Sequence, residues 1–324
     1  MISSIMAIYT QLSFSEVSNI INDYSIGILK QLKGIKEGIE NTNYLLITTK
    51  GKYILTIFEK RVNIKDLPFF MNLMNHLNSK KIICPNPINN KFKKNIFEIK
   101  NKKACISSFV FGKGKNKHTL KECEIIGKNI AKLHLATRGL KIKRKNNLSL
   151  NSWMTLNELI KNKGNKKIPG IHSFILQILI TIKKYWPENI PTGIIHGDLF
   201  PDNIFFKKNK FNGFIDFYFS CNDFLIYDLA ICINAVCFDN RHKLIELKKN
   251  AILKGYSKIR KLSQKELQSL PILSMGAAIR FFLTRLYDQI NQQKNAVVKI
   301  KNPKEYLNKI KFYEQTQSYQ RLIS

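Results

Sequence analysis

The sequence predicts an α+β protein of two lobes: a small antiparallel sheet within residues 1–110 and a larger, mainly helical region over 111–324. Three observations carry this. Short β-prone runs with tight-turn signals crowd the first third of the chain. Capping-box patterns followed by apolar residues at helical spacing dominate the rest. A dense polar stretch, Ile195 to Ile204, is answered a short way on by Phe214-Ile215-Asp216-Phe217.

In chain order, Ser13-Phe14-Ser15-Glu16 forms a capping box, and Val17, Ile20 and Ile21 follow at helical spacing, so a first helix is expected there. Residues 29–33 read as a strand entering a turn at Gly34 and Gly38. Residues 44–49 and 53–59 read as strands joined at Lys50-Gly51, a tight-hairpin signal. A helix is expected over 66–79, a rigid turn at Cys84-Pro85-Asn86-Pro87, and a further hairpin from 96–99 and 104–110. Thr119-Leu120-Lys121-Glu122 opens a long helix carrying Ile126, Ile130 and Leu133 on one face, with His134 in a structural place. Two amphipathic stretches, 152–161 and 170–186, precede the polar stretch. Ser263-Gln264-Lys265-Glu266 opens the helical C-terminal part, with an apolar stripe from Ile272 to Ile290.

The polar stretch gathers chemistry. Asp198 follows the apolar Gly193-Ile194-Ile195, and Asn203 lies five residues on. Runs 204–206 and 213–215, separated by Lys207-Lys208-Asn209-Lys210, read as a hairpin that would return Asp216 to Asn203. Asn203 and Asp216 are hard oxygen ligands suited to Mg²⁺, and Asp198 is a carboxylate free to orient a hydroxyl. Phosphoryl transfer needs both parts. Singly, each residue reads as a turn former or strand cap; the joint pattern reads as catalytic.

His196-Gly197-Asp198-Leu199-Phe200-Pro201-Asp202-Asn203 with Ile215-Asp216-Phe217 resembles the catalytic loop and metal aspartate of the aminoglycoside-phosphotransferase and choline-kinase-like enzymes, which share the protein-kinase-like fold. Residues 32–44 and 214–230 resemble bacterial homoserine kinases of that fold, and the likeness spans nearly the whole chain. The resemblance implies an ATP-dependent kinase with Mg²⁺ and two substrates, ATP and L-homoserine. It implies Asp198 as the base and Asn203 with Asp216 as metal ligands. His196 would support the loop by hydrogen bonding.

It further implies nucleotide contacts at Gly34, Gly38, Asn41 and Asn43 in a phosphate-covering loop, though the two glycines fall short of a full GxGxxG and also suit an ordinary turn. Ser107 and Phe109 would lie in a hinge over 107–111, where adenine stacks; an edge strand is the other reading. Thr56 stands where the family's ATP-binding lysine is expected, so the phosphate clamp falls to the loop, the metal or a cation such as Lys52 or Lys60. Near the acceptor, Tyr218 and Asp223 fall within the resembling stretch, Asp223 either as a turn residue or as partner to a substrate ammonium. Arg280 sits in an apolar run and calls for a carboxylate partner, either internal (Asp288) or the substrate's own. Asp228 reads as the N-cap of the apolar helix after it. No activation loop separates Asp216 from that helix, which disfavours peptide acceptors. Choline, methylthioribose or an aminoglycoside as acceptor, or a catalytically silent kinase-like protein, are the alternatives.

The formal charge of +32 invites a nucleic-acid reading, but the lysines are spread along the chain with no Arg-rich tract, so no dedicated nucleic-acid partner is expected. The six cysteines show no CxxC pair and fit reduced thiols in the cytoplasm. The N-terminus lacks the basic start of a signal peptide, and the apolar stretch 174–182 is too short to span a bilayer, so no membrane association is expected. Oligomeric state is not legible.

Overall fold

The computed structural model describes residues 10–35, 41–59, 62–291 and 301–316. The chain divides into two compact units. Among the described residues, the first comprises 10–35, 41–59, 62–111 and 212–218, and the second 112–211, 219–291 and 301–316.

The first unit begins with helix α1 (Phe14–Ile21), closed by the Ser13–Glu16 capping box that the sequence predicts. Strands β1 (Leu29–Ile35), β2 (Asn41–Thr48), β3 (Gly51–Phe58), β4 (Ile96–Ile99) and β5 (Lys102–Ser108) form one antiparallel sheet in the order β1-β2-β3-β5-β4. Helix α2 (Leu67–Ser79) intervenes between β3 and β4. Alternating side chains of the sheet and the apolar face of α1 meet in one core of Val17, Ile21, Leu46, Leu55, Ile57 and Ile106. Gly34 lies inside β1, paired with Tyr44, and not in a turn as its type suggests. Continued pairing with β2, Gly34 on Tyr44 and Ile35 on Asn43, carries the strand two residues further than local propensity indicates. Gly38 falls outside the described residues, as do Lys60 and Arg61.

The second unit is mainly helical. Helices α3 (Leu120–Ala136), α4 (Leu150–Lys167) and α5 (Ile171–Tyr185) precede strand β6 (Thr192–Ile195), which pairs antiparallel with β9 (Cys221–Phe224). Between them in the chain come β7 (Ile204–Lys207) and β8 (Lys210–Phe214), a hairpin whose second strand passes into the first unit at Asn212. The turn is shorter than the four lysine- and asparagine-rich residues suggest. Only Lys208 and Asn209 form it, with φ of 48° and 60°, the doubly left-handed pair that lets strand twist continue through two residues. After β9 come α6 (Leu225–Val236), α7 (Glu246–Ser257), α8 (Gln264–Asn291) and α9 (Lys304–Glu314). Helices α3 and α7 cross at backbone contact, because a Cβ on Gly127 would stand 2.0 Å from the Ile252 carbonyl oxygen and one on Gly255 2.0 Å from that of Glu124.

Helix α8, not the 174–182 run, is the one described helix long and apolar enough to cross a membrane, and 78% of its most apolar window is buried inside the protein. It is built as a core helix, packed on α4, α6 and α9. All six cysteines are buried and unpaired.

Candidate active site

The site begins with the turn after β6. His196, Gly197 and Asp198 leave the strand through a left-handed Gly197 (φ 77°), where a Cβ would stand 2.7 Å from the Phe219 carbonyl oxygen. The Asp198 N–H donates to His196 Nδ1 at 3.2 Å, and the Ser220 hydroxyl donates to the His196 carbonyl at 3.2 Å, so the buried His196 braces the loop. Asn203 then folds back. Its Nδ2 donates to the Asp198 carbonyl (2.8 Å) and to Asp198 Oδ2 (2.9 Å). Both amide hydrogens are thereby used, which fixes the amide's orientation and turns Oδ1, an acceptor only, away from Asp198. The structure thus brings Asp198 and Asn203 together.

Beneath this loop lies a buried anion. Asp228 accepts from the His196 N–H (2.7 Å), the Gly197 N–H (2.8 Å) and His134 Nε2 (3.1 Å). His134 Nδ1 is 2.8 Å from the Tyr256 hydroxyl, so a proton on Nε2 with Nδ1 accepting satisfies all three side chains. Burial alone would raise the Asp228 pKa. The His134 and Gly197 N–H hydrogen bonds, with His196 nearby, outweigh it and hold the carboxyl below its ordinary value. Asp228 is therefore not the helix cap that its sequence position suggested. The cap position of α6 is Phe224, and Asp228 lies one turn in, facing the loop. Its support comes from tertiary contacts that no local pattern announces.

Arg280 of α8 reaches the same loop. Its Nη1 donates to the Gly197 carbonyl at 2.7 Å, and its guanidinium lies over the Phe219 and Phe281 rings at 5.5 and 4.6 Å. Asp288 is not its partner; a backbone carbonyl and two ring faces stand in for the internal carboxylate expected in so apolar a stretch. Asp223, on β9 opposite Gly193, accepts from Asn146 Nδ2 (2.6 Å) and from the Phe224 N–H (2.7 Å). The segment bearing Asn146 runs along β9, tied by Arg144 N–H to Asn222 Oδ1 (2.8 Å) and Asn222 N–H to the Arg144 carbonyl (2.8 Å).

In the first unit, Asp216 follows β8 as an exposed residue with φ of 63°, a left-handed backbone unusual outside glycine. Tyr218 packs edge-on against Phe58 (5.1 Å) and Phe70 (5.6 Å), with its hydroxyl 3.8 Å from Cys105 Sγ. Asn43 accepts from Thr56 Oγ1 at 2.8 Å across the β2–β3 pair. The residue standing where a lysine is expected is therefore hydrogen-bonded to a candidate nucleotide contact, and Asn41 and Asn43 lie within β2, paired to β3, and not in the loop expected from the sequence. Asn41 is buried with Oδ1 unpartnered among the described residues. Ser107 is buried within β5. Phe109 lines a cavity of about 370 Å³ with Ile83, Ser108, Phe111 and Asn212, and Lys52 Nζ lies 5.9 Å over its ring.

Sequence reasoning missed one charged cluster here. Glu59 accepts from Thr10 Oγ1 (2.8 Å), Thr42 Oγ1 (2.7 Å) and Lys102 Nζ. Its partners come from three separate stretches of chain, so no spacing marks them.

A sheet-bearing unit, a mainly helical unit and a loop in which a carboxamide anchors a carboxylate fit a phosphotransferase, and the family match shows that class. The chain belongs to the phosphotransferase enzyme family designated APH, whose model matches residues 31–262. It is 43% identical, over 97% of its length and 96% of the relative's, to the homoserine kinase of Brucella anthropi. Among solved structures it shares the fold of an amicoumacin kinase bound to AMP-PNP and Ca²⁺ (TM-score 0.71, 16% identity, 96% of this chain and 94% of that one). The choline kinase of Cryptosporidium parvum has the same fold (TM-score 0.69, 16% identity, 96% of each chain). The predicted α+β, protein-kinase-like fold is the fold of this chain.

Proposed function

We propose that this protein is an ATP-dependent homoserine kinase, transferring the γ-phosphoryl group of ATP to the side-chain hydroxyl of L-homoserine to give O-phospho-L-homoserine, a step toward threonine. The observation that carries the acceptor is the 43% identity to homoserine kinases across nearly the full length of both chains. The observation that carries the chemistry is the Asn203–Asp198 contact.

In this reading Asp198 receives the hydroxyl proton as the oxygen attacks phosphorus. The amide of Asn203 holds the carboxylate in place, so little reorganisation is needed when the acceptor arrives. Asn203 Oδ1 and Asp216 are the protein ligands proposed for Mg²⁺. The donor set fits that ion, being neutral and anionic oxygen with other positions left for water and phosphate oxygens. Among the described residues no cluster of three or more His, Cys, Asp or Glu offers a softer alternative. Bound there, Mg²⁺ would neutralise charge on the transferring phosphoryl group. The pairing rests on the resemblance of His196–Asn203 and Ile215–Phe217 to the family's catalytic loop and metal aspartate.

Gly34, Gly38, Asn41, Asn43, Ser107 and Phe109 remain the proposed nucleotide contacts, within an N-terminal lobe proposed to end near residue 110. Arg280, with Nη1 held on the Gly197 carbonyl, offers its remaining N–H groups to the substrate carboxylate; Tyr218 and Asp223 complete the proposed acceptor contacts. A cytoplasmic location belongs to the same reading, supported by six unpaired buried thiols.

The decisive assay measures ADP release with Mg-ATP and a panel of alcohols: L-homoserine, choline, methylthioribose and an aminoglycoside. Homoserine is expected to give the highest kcat/KM. Preference for any other member overturns the acceptor assignment while leaving the phosphotransferase chemistry in place.

A further inference from the structure

The second unit holds a cavity of about 250 Å³ lined in part by Asp223, Trp153, Trp186 and Tyr227. Its volume is below the roughly 300–1,000 Å³ typical of drug-sized ligands, so it suits something of amino-acid size. Its walls are aromatic. Trp153 and Trp186 meet edge to face at 5.5 Å, and Trp186 lies 6.4 Å from the Tyr227 ring. The Trp153 indole N–H is used on the Leu148 carbonyl at 2.8 Å, so this side chain presents its ring and not a donor.

Two polar groups in the cavity are incompletely matched. Asp223 receives one neutral donor on each oxygen and, among the described residues, forms no ion pair with a lysine or arginine. A carboxylate can accept about four hydrogen bonds, so capacity remains on both oxygens. Burial raises its pKa, and Asn146, the Phe224 N–H and the charge of Arg280, which stands beyond ion-pair distance, only partly offset the effect. The Tyr227 hydroxyl is the second group. Tyr227 is 1% exposed, and among the described residues its hydroxyl makes no hydrogen bond of normal geometry. The charges of Arg280 and Asp223 both act on it, and the Arg280 guanidinium, whose Nη1 is held on Gly197, also approaches the hydroxyl as a donor.

We propose that this cavity seats a ligand's primary ammonium group, with Asp223 as counter-ion, Tyr227 as a second acceptor, the two tryptophans as walls, and Asn146 as the residue that positions Asp223. Ring faces attract cations of any kind. The unfilled lone pairs of Asp223 and Tyr227 select a cation that carries N–H donors, which choline's quaternary nitrogen lacks. Two molecules could supply this group. One is the acceptor itself, a source that rests on the homoserine reading above. The other is a second amino acid bound beside it.

Trp153 and Trp186 are the chain's only two tryptophans, so intrinsic fluorescence reports directly on the cavity. The full-length protein is titrated with L-2-aminobutyrate, L-homoserine, 4-hydroxybutyrate and choline. Saturable emission changes are expected with the first two and not with the last two. Asp223→Asn is expected to weaken 2-aminobutyrate binding by about 30-fold or more, the ratio for removing one member of a buried charge pair. Asn146→Ala should weaken it in the same direction, and serves should Asp223→Asn fail to fold. If 2-aminobutyrate competes with homoserine in turnover, and Asn146→Ala raises KM far more than it lowers kcat, the ammonium is the acceptor's. Saturable binding without competition assigns it to a second amino acid. An equal response to 4-hydroxybutyrate or choline overturns the proposal, as does no saturable response, or binding unchanged in Asn146→Ala. Should the wild type bind 2-aminobutyrate yet fail to phosphorylate homoserine, the homoserine reading falls and the ammonium site stands.

Discussion

The carboxylate of Asp228 accepts hydrogen bonds from the backbone N–H groups of both His196 (2.7 Å) and Gly197 (2.8 Å), so a fully buried anion fixes the two residues that precede Asp198. Backbone N–H groups turned inward by a left-handed glycine need an acceptor, and only a tertiary neighbour can provide one here. Asp228→Asn replaces one oxygen with a donor that faces these donors. It is expected to cost about 3 kcal/mol of stability and to lower kcat together. The sign with pH follows from the depressed carboxyl. The stabilisation is complete above the ordinary aspartate value of 3.8 and is lost as pH falls through the lower folded value. Urea unfolding at pH 7 and pH 3 checks this: the wild type should lose more than the variant on acidification. Equal losses would remove the electrostatic part of the account.

Asp198→Asn keeps a group that can still accept from Asn203 but cannot take the acceptor's proton. Turnover should fall by about 10²–10⁴-fold, with nucleotide binding unchanged. Steady-state kinetics paired with calorimetric titration of a non-hydrolysable ATP analogue separates the two effects. Turnover within a few-fold of wild type would end the assignment of Asp198 as base.

His118 is 3% exposed, packs 5.4 Å from the Phe206 ring and has neither ring nitrogen hydrogen-bonded among the described residues. Burial lowers its pKa from 6.5 to about 4; Glu122 opposes this, while Lys115 and Lys248 add to it. The fold therefore holds the neutral imidazole. Stability from this group is full above pH 6.5 and is lost as pH falls toward 4, by about 3 kcal/mol in total. In His118→Leu the stability profile between pH 6.5 and 4 should flatten, with little change at pH 7.5. A profile as steep as that of the wild type would show that His118 is not the titrating group.

Gly127→Ala and Gly255→Ala should each destabilise the protein by at least about 2 kcal/mol, because the new methyl group meets a helix backbone carbonyl that cannot rotate aside. Gly164→Ala, within α4, meets only side-chain carbons at 3.6–3.7 Å and should stabilise by up to about 1 kcal/mol. The pair is read from urea midpoints. Destabilisation of similar size at Gly164 would mean that helix crossing distance is not what sets the effect.

The amino-acid sequence by itself determined the helix starts, because a capping box at Ser13, Thr119 or Ser263 satisfies its own backbone donors within four residues. It also determined the sheet-then-helix order, and the pairing of Asn203 with Asp198, which are five residues apart on one turn. Tertiary structure alone decided what surrounds them. Asp228 became the anchor of the loop, Asn146 the partner of Asp223, and Glu59 the acceptor for Thr10, Thr42 and Lys102. Trp153 and Trp186, 33 positions apart in the numbering, became two walls of one cavity. The physical reason is range. Caps, turns and strand alternation are settled by neighbours along the chain, whereas a buried charge or an aromatic wall is settled by whichever distant side chain the packed core brings against it.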